Sequence, residues 1–163
     1  MRADAPHTAF PFWRNAGYAL AVFSVLVLGG CSRKSPKTLY GSNCGICHHG
    51  GDGMPGEVPP LVGRLDRIAS TAEGRHYLAD VLMNGVSGPI TANGMRFNAE
   101  MPPFRYLPDE DVAAILTWLS QRGQTTPAPE ITAADIAQAR AVRQSAGKIA
   151  TERENLDRLH PIP

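Results

Sequence analysis

Cysteine is scarce, at three in 163 residues, which is too few to staple a scaffold, and an odd number cannot be used up by pairing. Each thiol therefore needs its own account. Long apolar runs are also missing: the main one, Ala16 to Gly30 (AGYALAVFSVLVLGG), has fifteen residues, short of the ~20 that a membrane-spanning helix requires. An excess of one charge sign is absent, with 16 Lys plus Arg against 15 Asp plus Glu. Without a basic field to track a phosphate backbone, the composition argues against a nucleic-acid binder. What is present, 43% hydrophobic and 19% charged residues, excludes wholesale disorder and allows one domain with extensions.

Arg2 and Arg14 precede the apolar run, an arrangement that fits a secretory signal peptide. The run ends in Leu28-Gly29-Gly30-Cys31, which resembles the lipobox of bacterial lipoproteins, where the cysteine receives lipid and becomes the first residue. A retained anchor, or an ordinary cleaved signal with Cys31 incidental, are the alternatives. The expectation is export, with residues 1–30 removed and the chain held on the periplasmic side of a bacterial membrane through lipid at Cys31. Each buried CH₂ of such a lipid contributes about 0.8 kcal/mol, so several acyl chains hold firmly.

Residues 31–36 are small and basic and read as a tether. A compact region at 37–124 follows, closed by the Pro-rich break TTPAPE at 125–130. Within it, seven Lys plus Arg face nine Asp plus Glu, giving −2. A short helix is expected over Lys37–Cys47, a loop over 50–63, and a helix over Glu73–Asn84 with Gly85 as its stop. Asn93-Gly94 between two β-compatible runs predicts a two-residue hairpin near 89–98. Asp109–Arg122 carries Val112, Ile115, Leu116 and Leu119 on one helical face. In the tail, Thr132 with Asp135 has capping-box spacing, so a helix starts at Ala133. Its stripe of Ile136, Ala139, Val142, Ala146, Ile149, Leu156 and Leu159 is thin, with i,i+4 pairs Lys148–Glu152 and Glu154–Arg158 opposite. Such a helix either lies on a surface or stays a solvated extension.

Cys44-Gly45-Ile46-Cys47-His48 matches C-x-x-C-H, the attachment signature of a c-type haem. Two thiols so spaced can form thioethers to the two vinyl groups while the adjacent imidazole reaches the iron. A zinc half-site would need a second ligand pair and finds only scattered His49, His76 and His160. A thioredoxin-like pair would need a βαβ context. A large apolar macrocycle would also supply a centre that so small a region lacks. A sixth ligand is then required, and a thioether suits low-valent iron. Met54 lies close to His48 on the same loop, Met83 sits beside an apolar helical face, and Met95 follows the hairpin turn. Met101 is favoured because Pro102-Pro103 stiffen the backbone behind it. His49 and His76 are the remaining candidates.

The stretch Tyr40–Leu119 resembles a class I monohaem cytochrome c, on LYGSNCGICHHGGDGMPGEVPPLVGR, MPPF at 101–104 and LPDEDVAAILTWL. It is most similar to cytochrome subunits of periplasmic dehydrogenases or oxidases, relatives in which a hairpin and an ITxxxIAxxR-like tail also occur. The resemblance implies an all-α fold of three to four helices around one covalent haem c, with a short β-hairpin insertion and a C-terminal helical extension. It implies Met101 as axial ligand and Pro59 as the carbonyl partner of His48, with Pro60 the close alternative. It also implies packing of Tyr40 and Gly41 against Trp118. Pro108 departs from the Ser or Thr that commonly caps the last family helix.

Two functional classes follow. One is an electron carrier with both axial positions filled, passing single electrons between redox partner proteins such as a dehydrogenase or a terminal oxidase. The other is a haem enzyme or gas-sensing module with an open sixth position. A dedicated oxidoreductase subunit differs from the first only in the permanence of its partner.

Overall fold

The computed structural model describes residues 33–163. The proposed leader and the lipid site at Cys31 lie outside the described residues. Lys34–Pro163 forms one compact unit, so the break at 125–130 does not separate the tail from the body of the domain.

The chain enters through α1, Pro36–Asn43, where the Ser35 hydroxyl accepts from the Thr38 amide and Pro36 occupies the first turn. Pro36 thus belongs to the helix rather than to a tether. The helix expected through Cys47 is interrupted at Cys44 and resumes as α2, Gly45–His48. A one-turn helix, α3 at Leu65–Ile68, was not expected from the sequence. It leads into α4, Ala72–Asn84, capped by Thr71 and stopped by Gly85 as its spacing predicts. Gly74 is required at the α3–α4 crossing, since a Cβ there would lie 1.7 Å from the Ile68 carbonyl oxygen.

Strands β1, Val86–Ala92, and β2, Met95–Met101, pair antiparallel with Val86 opposite Met101 and Ala92 opposite Met95. Asn93 and Gly94 both have positive φ, 50° and 75°, as a two-residue hairpin turn matching strand twist demands. The hairpin is longer than its expected 89–98 span because pairing continues to Met101. Helix α5, Asp109–Ser120, starts without a side-chain cap at Pro108. Its first turn is instead tied to the tail: Arg140 meets Asp109 at 2.6 Å and donates to the Arg105 and Leu107 carbonyls at 2.6 and 2.7 Å.

The tail is two helices, α6 at Ala133–Ala141 and α7 at Ala146–Leu159, rather than one. The capping box of Thr132 and Asp135 forms as its spacing predicts. Ile136, Ala139, Ile149 and Leu156 are buried against the body, at roughly 1.5–3 kcal/mol for each large side chain, so the tail is not a solvated extension. Val142 and Leu159 leave the expected stripe and are exposed, because the chain breaks at 142–145 and changes direction. The Lys148–Glu152 and Glu154–Arg158 pairs do not form; Arg158 donates to Asn155 instead. The described residues therefore hold seven helical segments, five in the body where three to four were expected and two in the C-terminal extension, with one two-stranded sheet. None of the helices is long and apolar enough to cross a membrane.

The core gathers Leu39, Ile68, Leu82, Met83, Val112, Ile115 and Leu116 between α1, α3, α4 and α5. Tyr40 and Trp118 join α1 to α5, with ring centroids 5.1 Å apart. Gly41 has no part in that contact: a Cβ on it would meet nothing within 4 Å.

Candidate haem site

The break at Cys44 keeps helical hydrogen bonding nearly continuous. Its amide donates to the Tyr40 carbonyl at 2.8 Å, and the His48 amide donates to the Cys44 carbonyl at 2.9 Å. Cys44, Cys47 and His48 therefore sit along one helical turn, with Cys44 and His48 buried and Cys47 exposed. Burial, reinforced by the neighbouring Cys47 thiol, pushes the Cys44 thiol up to about 11. Behind this turn, the Tyr40 hydroxyl donates to the His49 carbonyl at 3.0 Å, and burial drives Tyr40 up to about 12.

His48 is 7% exposed, and its Nδ1 lies 3.2 Å from the Pro59 carbonyl oxygen. A carbonyl can only accept, so the proton is assigned to Nδ1 and the Nε2 lone pair is left free. Burial holds the imidazole below its ordinary pKa, against the opposing pull of that carbonyl, which keeps the ring neutral. Pro60 is engaged elsewhere, its carbonyl accepting from Arg64 Nη1.

The hairpin supplies another wall. Alternate residues of a strand share one face, and here Val86, Gly88 and Ile90 of β1 with Phe97, Ala99 and Met101 of β2 line one cavity of about 300 Å³. Cys44, Cys47, His48 and Pro59 border the same cavity. Met101 ends β2, and its position depends on Gly85. That residue has φ 74°, and a Cβ on it would stand 2.6 Å from the Met101 carbonyl oxygen. The Phe104 amide then donates to the Leu82 carbonyl at 2.7 Å, returning the chain to α4.

The other sequence candidates lie elsewhere. Met83 is fully buried in the α4 core, and Met54 pairs across a short bridge with Val58. Met95 is 45% exposed, and its sulfur accepts from the Gly56 amide at 3.2 Å. His49 is exposed on the loop after α2, and His76 pairs with Asp80 on α4. None of these lines the cavity.

An imidazole nitrogen, a thioether and two thiols around one largely apolar space form a donor set that fits a covalently held haem. Sequence reasoning did not identify Gly85, Arg64 or Arg140 as supports of this site. Arg140 was visible only as the last residue of the ITxxxIAxxR-like run, and Gly85 only as a helix stop.

Comparison with known proteins agrees with this geometry. The model of the family described as "Cytochrome C oxidase, cbb3-type, subunit III" matches residues 32–119. A cytochrome c-552 of Thermus thermophilus is 36% identical over 102 residues, covering 61% of this chain and 68% of that protein. Another cytochrome c-552 of the same species is 40% identical over 80 residues, covering 48% of this chain and 61% of its own length. The chain belongs to this cytochrome c family and is a monohaem c-type cytochrome whose cofactor is haem c.

Proposed function

We propose that the chain is a membrane-tethered, periplasmic electron carrier in which Cys44 and Cys47 attach the haem and His48 and Met101 are its axial ligands. The observation that carries this reading is the shared cavity, which His48, its Nδ1 against the Pro59 carbonyl, and Met101 both line. Haem c supplies a one-electron couple at its iron. The protein's part is positional. The Pro59 carbonyl fixes the imidazole tautomer and plane, as outer partners of ligating histidines do. Pro102 and Pro103 restrict the backbone behind Met101, while Val86, Ile90 and Phe97 keep water from the cavity. Ile46, 83% exposed beside Cys47, forms an apolar point at the rim where a redox partner can approach. The partners in this reading are redox proteins, a dehydrogenase or a terminal oxidase; the family's description names an oxidase. Lipid at Cys31 provides the tether.

Met101→Ala tests the reading. Wild type is expected to show the weak near-infrared sulfur-to-iron band in its oxidised form. The variant is expected to lose it, fall in potential and bind carbon monoxide when reduced. A wild type that lacks the band and takes up carbon monoxide readily would replace the electron carrier with an enzyme or gas sensor.

A further inference from the structure

Away from the cavity, α4 and α7 bring together three side chains that no part of the haem site uses. His76 and Asp80 are one turn apart on α4, so their i,i+4 spacing puts them on one face. His76 Nε2 lies 3.2 Å from Asp80 Oδ2. Glu152 comes from α7, and one ligand atom from each of the three lies within 4.8 Å of the others. Asp80 is only 1% exposed; Asn84 Nδ2 donates to its Oδ1 at 3.0 Å, while Oδ2 makes no hydrogen bond and has the His76 Nε2 contact, with the Gln144 side chain also acting on the carboxylate. Without a protonated imidazole beside it, a buried carboxylate oxygen that makes no hydrogen bond is costly. It is oriented by Asn84 and aimed at the space between the two helices.

We propose that His76, Asp80 and Glu152 form a binding site for a zinc-class divalent cation that clamps the C-terminal helix to the body of the domain. Zinc–ligand bonds of about 2.0–2.1 Å place the ligand atoms of a tetrahedral site roughly 3.3 Å apart. The His76–Asp80 separation of 3.2 Å is already close to one edge of such a tetrahedron, and a Glu152 ligand atom lies within 4.8 Å of both. One nitrogen and two oxygens favour zinc over calcium, whose sites are built from oxygen alone. Two carboxylates with a neutral imidazole balance a double positive charge. Burial raises Asp80 and Glu152 above the ordinary carboxylate range, and the Asp80 charge raises Glu152 further; a cation would relieve both. Lys148 makes no direct ion pair with either carboxylate, though its charge pulls the pKa of both downward and competes with a bound cation. His76 is nearly half exposed, which provides an entry path and leaves room for water in the remaining coordination positions.

Calorimetric titration of Zn²⁺ into the chelator-treated, haem-loaded full chain tests the site, with thermal unfolding in parallel. One ion per chain is expected to bind at micromolar concentration and to raise the unfolding midpoint. His76→Ala and Glu152→Gln are each expected to weaken binding by about tenfold or more. Neither should change the haem absorption spectrum, because neither residue lines the cavity. Both residues reach solvent, so these variants keep the test independent of Asp80, whose replacement endangers folding. Absence of saturable one-site binding would overturn the proposal. So would unchanged binding in both variants, or loss of binding only in His49→Ala or His160→Ala.

Discussion

The two walls of the cavity are built in different ways. On the histidine side, Cys44, Cys47 and His48 follow one another along a helical turn, and the Pro59 carbonyl comes from eleven residues later. On the methionine side, Met101 sits at the far end of a hairpin, against Gly85 at its start, and the turn after it is gripped by Arg140, 35 residues beyond Arg105. A wall made from contiguous residues keeps its geometry so long as one helical turn survives. A wall made from distant segments keeps its geometry only while all of them are docked. Perturbations far from the haem should therefore act on the methionine side first.

The largest expected effect lies on the contiguous wall itself. A Cys44→Ala, Cys47→Ala double variant should lose all covalent haem, read as absence of in-gel haem staining after denaturing electrophoresis. Next, Gly85→Ala should cost about 1–3 kcal/mol, since φ of 74° is strained for alanine and the added methyl meets the Met101 carbonyl. Thermal unfolding should show the loss, and the near-infrared sulfur band should weaken. The same exchange at exposed, helical Gly41 should do neither, because the methyl there meets nothing.

Arg140→Ala sharpens the comparison from the tail. Removing a charged donor from Asp109 and two backbone carbonyls should cost about 2 kcal/mol, read by denaturant unfolding. Amide exchange should rise in the turn at 105–109 before it rises at 44–48. The smallest effect concerns acidity. Asp66 is buried, which would raise its pKa, but hydrogen bonds from Thr125 and the Gln124 amide outweigh burial and hold it below the ordinary carboxylate range. Its contribution is therefore present above the ordinary carboxylate pKa and lost as pH falls through the depressed folded value. Asp66→Asn should flatten that acidic limb of stability against pH without moving the neutral plateau's haem spectrum.

Legibility in the sequence followed the same division. C-x-x-C-H names its chemistry because attachment and ligation need adjacent residues. The Asn93-Gly94 turn, the Gly85 stop and the Thr132 capping box were equally readable, since each is a contract between residues a few positions apart. Arg140 could be seen but not assigned, because its partners at 105, 107 and 109 are neighbours only in space. Gly41 shows the opposite failure: a residue beside Tyr40 in sequence was credited with a contact that the aromatic rings make alone. The break at 142–145 escaped because the spacing of small apolar residues continues across it, although Ser145 caps the new helix with a bond to the Lys148 amide.

The two-stranded sheet is a partition one backbone thick. Its inner face lines the cavity, while α7 packs along β1, where Arg153 Nη2 donates to the Thr91 carbonyl. Loading the cavity and docking the tail thus bear on one strand in common, the seven residues of β1. Thermodynamic reciprocity then fixes their relation: whatever factor docking of α7 adds to the cavity's hold on its cofactor, the loaded cavity returns to the docking of α7.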